Sequence, residues 1–525
     1  MNQPDHFHVI VIGAGINGAG IARDAAMRGL KVCLLDKSDI GSGSSSVSTR
    51  LIHGGLRYLE HFEFGLVRES LRERETLLRI APHLVKPVTL LIPIYKGAKR
   101  GPFQIRAGMI LYDLLSYDKE LPRHRIVSRR QALELAPGLN QDGLLSAAVY
   151  YDAQVEFAER LVLENVLSAQ ESGAVVFTYA RVTRLLTQNG RATGVEFTTD
   201  GGRRTLTADF IINAAGPWVD ELLRTTSSSN RLIGATKGSH IVVAPFPQSP
   251  DLATYAEAQS GGRPFFVIPW NGNYLIGTTD IHFNGNLDEV SIGEPEIQYL
   301  LAETNHLFPH AQLTRRDVLY MYSGLRPLPF TDVADEQKIT RRHFIRQHQQ
   351  FSNVVSVVGG KLTTYRSLAE ECVNLAFSKL GKSPPRSVTA HTPLPGGKEF
   401  KTFAADFVAN STYSSAVNER LLRVYGTRAN EVVETCRRAP LLSRPLSSSD
   451  VLAGEIVFAF ERELAQTVGD CLLRRTMAGF NSDLGIGLDN EAASIGAKFL
   501  GWTNDRARSE VEEYRKNVGR MRSSP

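Results

Sequence analysis

The sequence is poor in cysteine: it has four, Cys33, Cys372, Cys436 and Cys471, far apart and with no C-x-x-C spacing. That excludes a disulfide scaffold and a thiolate metal cluster, and it fits a reduced, cytosolic compartment in which these residues are buried as small hydrophobes. Long hydrophobic runs are also missing. With no stretch of about 18 apolar residues, no helix is expected to cross a bilayer, and any membrane attachment is expected to be peripheral. The polar stretch 1–8 leads straight into an apolar run, without the pattern of a cleaved signal peptide. Charge of one sign is scarce as well. The 60 Lys and Arg exceed the 55 Asp and Glu by only five, too little to demand nucleic acid, and no RNA- or DNA-binding motif is present. The absence of H-E-x-x-H, G-x-S-x-G and Walker patterns removes the zinc-protease, serine-hydrolase and P-loop classes, and no metal site is expected.

What is present can form several cores. The chain of 525 residues is 42% hydrophobic, which suits roughly three or four domains or subdomains. The organising stretch is 8–36, HVIVIGAGINGAGIARDAAMRGLKVCLLD. A β-branched run is followed by Gly13, Gly15 and Gly18 at G-x-G-x-x-G spacing, then an alanine-rich helical segment stopped by Gly29, and a second apolar run ending at Asp36. Gly13 permits the tight turn, Gly15 lets the backbone approach a pyrophosphate, and Gly18 lets the helix lie close to the strand. Asp36 stands where a carboxylate accepts hydrogen bonds from ribose hydroxyls. The fingerprint does not separate FAD from NAD, and a glycine-rich turn that binds nothing is the plain alternative.

Next comes SDIGSGSSSVSTRLIHGGLRY, whose small residues, Ser45 and Ser46 among them, suit a loop pressed against a flat ligand. Residues 94–117 place basic side chains ahead of and among a helical segment that is apolar on most of its circumference, which suits a core helix or one half-sunk in a lipid interface. Residues 153–172 read as an amphipathic helix with Asp152 as N-cap and Gly173 as stop. Residues 182–186 and 194–198 read as a hairpin about Asn189-Gly190. An apolar strand at 210–215 brings Ala215 and Gly216 to the mouth of a sheet. Residues 231–340 shift to strands and turns of an antiparallel domain. Residues 354–358 form a strand that runs into Gly359-Gly360-Lys361-Leu362-Thr363 and a helix. Two strand–glycine–helix junctions favour a bipartite cofactor, and FAD offers a pyrophosphate to one and a flavin ring to the other. The remainder is helical by pattern, with no chemical motif.

GAGINGAGIARDAA, SSVSTRLIHGGLRYLEHFEFGLV, NAAGPWVD, KGSHIVV, VIPW, IGTTD, YSGLRPL and VVGGKLTTYRSLAE occur in that order. In this the chain resembles the FAD-dependent, respiratory glycerol-3-phosphate dehydrogenases of bacteria, within the larger flavoprotein group that includes amino-acid oxidases. The likeness is close to about Glu371 and weaker from Pro384. It implies an α/β chain: a discontinuous Rossmann-like FAD-binding domain (1–90, 140–230 and 341–383), an inserted, mainly antiparallel β substrate domain (91–139 and 231–340) and a C-terminal α-helical domain (384–525). It implies oxidation of glycerol 3-phosphate to dihydroxyacetone phosphate, a quinone acceptor, a peripheral position on the cytoplasmic side of the inner membrane, and a possible homodimer.

The same resemblance assigns residues. Gly13, Gly15, Gly18, Asp36, Ser45, Ser46, His53, Gly54, Ala215, Gly216, Gly359, Gly360, Lys361, Leu362 and Thr363 are expected at the cofactor. Arg57, Arg326 and Arg341 match substrate-pocket positions, and arginine forks suit a phosphate. Arg342 departs from the family pattern, being basic where the family carries an acid. His240 is the first choice as proton acceptor, an imidazole being poised for that near neutral pH. Lys361 is expected at the substrate oxygen or the flavin, and Tyr58 and Thr279 as donors to substrate oxygens. A soluble oxidase of the same superfamily, acting on glycerol 3-phosphate or an amine, and a catalytically silent flavin-binding regulator are the rival readings.

Overall fold

The computed structural model describes residues 6–226, 231–331, 340–447 and 449–522. Residues 1–5 of the polar lead-in, and 227–230, 332–339, 448 and 523–525 of the domain ranges given above, lie outside the described residues.

Two sheets carry the chain. The first grows from His6–Ile12, whose Val9, Ile10 and Val11 are fully buried. It pairs in parallel with Val32–Leu35 on one side and Gly202–Asn213 on the other. Val175–Phe177 and Phe351–Val358 extend the parallel order outward, and Phe344–His348 closes one edge antiparallel. Continuous apolar runs suit such strands, because a parallel sheet is covered on both faces. Helix Ile16–Met27 covers one face and packs against helices Ala158–Glu171 and Tyr365–Lys379. The hairpin Arg181–Gln188/Arg191–Thr199 extends from Gly202–Asn213. Its two-residue turn is Asn189-Gly190, with φ of 49° and 70°, as a type I′ turn requires.

The second sheet has ten strands and runs from Ile281–His282 through Thr236–Val243, Asn273–Gly277, Pro264–Trp270, Ala253–Glu257, Val85–Tyr95 and Leu144–Val155 to Leu51–Ile52. Val318–Arg326 and Arg125–Ser128 pair at its sides. All pairings are antiparallel except that of Ala253–Glu257 with Val85–Tyr95. Here the structure differs from the boundaries expected from sequence. Leu51–Ile52, the start of Val85–Tyr95, and Leu144–Val155 fall in stretches assigned to the nucleotide domain, yet they belong to the substrate-side sheet. The cause is one long ladder, in register from Val85 opposite Val155 to Ile94 opposite Ser146, with an irregularity before Tyr95 meets Leu144.

The same ladder corrects a helix. Residues 153–155 finish a strand, and the helix is Ala158–Glu171. Asp152 is no cap: its buried carboxylate accepts from Arg74 Nη1 at 2.5 Å and from the Tyr112 hydroxyl at 2.7 Å. Gly173, in the left-handed region, does end the helix.

The C-terminal region runs as helices from Phe400–Asn410 to Asn504–Gly519 and shares one core with the second sheet. Phe480 meets Trp270 and Tyr320 at ring-centroid distances of 5.5 and 6.4 Å. The stretch read as core or lipid interface is helix Pro102–Leu115. Ile105, Met109 and Tyr112 are buried, while Phe103, Ile110 and Leu114 face outward, as do Phe62 and Tyr117 outside the helix. No helix among the described residues is long and apolar enough to cross a membrane.

Candidate active site

Gly13 lies in the left-handed region at φ 102°, and a Cβ there would stand 2.6 Å from the Ala214 carbonyl oxygen. A Cβ on Gly18 would lie 1.8 Å from the Gly13 carbonyl oxygen. The turn is therefore closed to any side chain, and the helix starts hard against the strand. Within helix Ile16–Met27 the first-turn N–H groups of Asn17 and Gly18 have no intrahelical acceptor, so they are available to an anion. Ile16 N donates to Ser45 Oγ at 3.0 Å. Asp36 Oδ2 accepts from Ala14 N at 2.6 Å and Oδ1 from Ser38 N at 2.8 Å. Burial is the larger influence on this carboxyl, and it is pushed up to about 6.

The second junction meets the first. Gly359 and Gly360 have φ of 77° and 95°, and Asn17 Nδ2 donates to the Gly359 carbonyl at 3.3 Å. Thr363 Oγ1 accepts from His53 N at 3.2 Å, tying the His53 loop to the same place. The result is one cavity of about 860 Å³, near the top of the usual range for ligand sites. Gly13, Gly15, Asp36, Ser45, His53, Arg57, Tyr58, Ala215, Gly216, His240, Arg326, Arg341, Gly359, Gly360, Lys361, Leu362 and Thr363 all line it. Glycines a Cβ would clash with, free first-turn N–H groups and a half-buried acid at the strand end together fit a dinucleotide with a ring system.

Four expected contacts lie elsewhere, and in three of them an adjacent residue takes the place. Gly54 packs on Tyr112, whose hydroxyl accepts from Gly54 N at 2.9 Å, and Gly55 lines the cavity. Ser46 Oγ turns back to the Gly43 carbonyl at 3.0 Å. Thr279 Oγ1 donates to Glu296 Oε1 at 2.7 Å and accepts from Ser239 N at 3.0 Å, so Thr278 faces the cavity instead. Gly18 acts in packing rather than by contact. Sequence reasoning also passed over Asn17, Thr49, Thr278 and Asp280. The IGTTD motif contained two of these, without a signal for which threonine points inward.

At the far end of the cavity, Arg326 Nη1 donates to Asp280 Oδ1 at 2.8 Å and Nη2 to Thr278 Oγ1 at 2.9 Å, while Arg341 Nη2 donates to Asp280 Oδ2 at 2.9 Å. Burial opposes a charged Asp280, but the two guanidinium groups outweigh it and hold the carboxyl below its usual range. His240 is 2% exposed, and its Nε2 lies 3.0 Å from Thr49 Oγ1. Burial first, then the charges of Arg326 and Arg50, push it down to about 3, so it is neutral at physiological pH. Lys361 Nζ donates to Ser70 Oγ at 3.0 Å and to the His53 carbonyl at 3.3 Å, over the Tyr58 ring at 4.7 Å. Burial lowers Lys361 to about 8. His53, lowered to about 3 by burial and then by Lys361 and Arg74, is neutral too.

The C-terminal region reaches this site. Asp39, 1% exposed, accepts from Arg475 at 2.7 and 2.8 Å and also from Arg474. Arg474 Nη2 in turn donates to Asp470 Oδ1 at 2.7 Å, and the Tyr179 hydroxyl donates to the same oxygen at 2.6 Å. Lys37, Ser38 and Ala180, the neighbours of Asp39 and Tyr179, line the cavity near Asp36.

Residues 8–366 match the family of FAD dependent oxidoreductases, and residues 387–507 match the C-terminal domain of alpha-glycerophosphate oxidase. A glycerol-3-phosphate dehydrogenase of Synechocystis sp. is 44% identical over 537 aligned positions, covering 98% of this chain and 96% of the relative. A D-erythritol 1-phosphate dehydrogenase of Brucella abortus is 37% identical, covering 91% and 95%. Among solved structures, the glycerol-3-phosphate dehydrogenase of Bacillus halodurans complexed with FAD superposes with a TM-score of 0.81 at 28% identity, covering 98% of this chain and 95% of that one.

Proposed function

The chain belongs to the family of FAD-dependent glycerol-3-phosphate dehydrogenases, and from that premise we propose that it passes the electrons of glycerol 3-phosphate to a quinone while attached peripherally to the cytoplasmic face of a membrane. FAD is the cofactor and dihydroxyacetone phosphate the product.

Gly13, Gly15 and the first turn of helix Ile16–Met27 would hold the pyrophosphate, Asp36 the ribose, and the stretch 359–363 with His53 the ring. Bound FAD supplies a two-electron acceptor for the hydride of the carbinol carbon. The chain itself must bind the phosphate, orient the carbinol and take one proton. Arg326 and Arg341, with Arg57 on the same wall, bind phosphate oxygens through charge-assisted hydrogen bonds. His240 takes the hydroxyl proton at Nε2, the edge it shares with the Thr49 hydroxyl; its neutral state is the one a base needs. A bare pKa of about 3 would make it a weak base, and the dianionic phosphate offsets the Arg326 charge that helps to depress it. Lys361, cationic but lowered to about 8, stabilises negative charge that develops beside it.

The observation that carries this reading is that Arg326 and His240, from strands of the second sheet, and Arg341 and Lys361, from segments flanking strands of the first, face one cavity with both glycine junctions. The outward Phe103, Ile110 and Leu114 of helix Pro102–Leu115 support the membrane part. Turnover of glycerol 3-phosphate with a soluble quinone analogue, at one dihydroxyacetone phosphate per quinone reduced and without hydrogen peroxide, tests the acceptor. Peroxide release at the same rate in air without quinone would favour an oxidase. D-erythritol 1-phosphate run in parallel tests the choice of polyol.

A further inference from the structure

Asp280 is an acid in a site meant for an anion. Its side chain is 11% exposed and lies between two guanidinium groups, one carboxylate oxygen to each: Oδ1 to Arg326 at 2.8 Å, Oδ2 to Arg341 at 2.9 Å. Its own backbone carbonyl accepts from Arg263 Nη1. The two arginines come from distant parts of the chain, Arg326 from the end of strand Val318–Arg326 and Arg341 from the segment that leads into Phe344–His348. Arg326 is held further by Thr278 Oγ1 and by the Thr279 carbonyl at 3.1 Å.

Coulomb counting alone makes this carboxylate unfavourable, because it cancels one of the positive charges that attract a phosphate. Geometry argues the other way. Two like charges side by side repel, and long arginine side chains lose rotamer freedom when a ligand orders them. A carboxylate that accepts from both removes the repulsion and fixes the spacing of the forks before the ligand arrives.

We propose that Asp280 is a positioning residue for substrate binding: it holds Arg326 and Arg341 as a preset two-armed clamp for the phosphate, giving up some attraction in exchange for orientation. The proposal rests on glycerol 3-phosphate being the substrate.

Asp280→Asn and Asp280→Glu in the FAD-loaded enzyme separate geometry from charge. Asn keeps the size and removes the charge; Glu keeps the charge and displaces it by one methylene. Positioning predicts that both raise the KM for glycerol 3-phosphate and the inhibition constant of inorganic phosphate, by about tenfold or more, the scale of one lost charge-assisted contact, while kcat falls less. It also predicts that Asp280→Asn costs little more in an Arg341→Gln background, where only one arm is left to place. A purely electrostatic role predicts the opposite sign for Asn, tighter phosphate, and no change for Glu; either result overturns the proposal, as does full additivity with Arg341→Gln. Phosphate binding is also read from its perturbation of the flavin absorbance, which needs no turnover. Wild-type enzyme that glycerol 3-phosphate fails to reduce would refute the proposed substrate instead, and the absorbance titration would still report on the clamp.

Discussion

Replacing Asp39 by Asn tests whether the C-terminal helices hold the cofactor end of the site. Asp39 is nearly fully buried and is the shared acceptor of Arg474 and Arg475, the latter itself 0% exposed. Removing the charge but not the bulk leaves a buried guanidinium without its counter-ion, and breaking a buried pair in this way costs about 3–5 kcal/mol. Taking about 3 kcal/mol, the population in which this contact opens rises by about two orders of magnitude. Because Lys37 and Ser38 precede Asp39 along the cavity wall, the same opening should loosen the adenosine end. Hydrogen exchange of peptides spanning 37–49 and 466–480 is the assay, together with FAD release from diluted enzyme followed by flavin fluorescence. Both peptides should exchange faster and FAD should leave faster than from wild type. The effect carries a pH signature. Burial would raise the Asp39 pKa, but Arg475 and Arg474 reverse that and hold it at about 2. A carboxyl depressed in the fold contributes stability that is present above its unfolded pKa, about 3.9, and is lost as pH falls toward 2. The gap between wild type and variant should therefore be full at pH 7 and close between about pH 4 and 2. Unchanged exchange in both peptides with normal FAD retention would refute the coupling.

His240→Gln should retain FAD and lower kcat/KM by about 10²–10⁴-fold, the usual contribution of a positioned base; near-normal turnover would remove it from the chemistry. Lys361, lowered to about 8 by burial, should give kcat/KM a falling limb near pH 8 as its charge is lost, and Lys361→Arg should abolish that limb, arginine staying charged throughout; the same limb in both enzymes would assign it to another group. Replacing Phe103, Ile110 and Leu114 together by Ser should reduce binding to anionic lipid vesicles in a flotation assay while activity with a soluble dye persists, and unchanged flotation would place the membrane contact elsewhere.

The parts of the molecule legible in sequence are those that local backbone demands dictate. Gly13 is a glycine because its turn needs a positive φ, Gly18 because the Gly13 carbonyl leaves no room for a Cβ, and Asn189-Gly190 because a two-residue turn needs two positive φ values. Such demands act within a few residues. The ladder between Val85–Tyr95 and Leu144–Val155 does not, so a strand that turns into a helix at Ala158 looked helical from residue 153. Within the site the misses have one pattern: Ser45 against Ser46, Gly54 against Gly55, Thr278 against Thr279. In each pair two like residues are adjacent, and which one faces the ligand depends on a strand or loop phase that composition does not record. Asp280 was missed for a different reason: its meaning comes from Arg326 and Arg341, which reach it only in the folded chain. The same holds for the clamp of Arg475 on Asp39, formed across 436 residues of sequence.

The proposed activity depends on distant segments enclosing one flavin with a phosphate clamp at its reactive end. Its most direct test is the visible absorbance of the purified protein, recorded anaerobically before and after one equivalent of glycerol 3-phosphate per flavin. An oxidised flavin spectrum that bleaches on addition, with dihydroxyacetone phosphate formed in equal amount, is the predicted result. A protein that carries no flavin after reconstitution with FAD, or a bound flavin that stays oxidised, would contradict it.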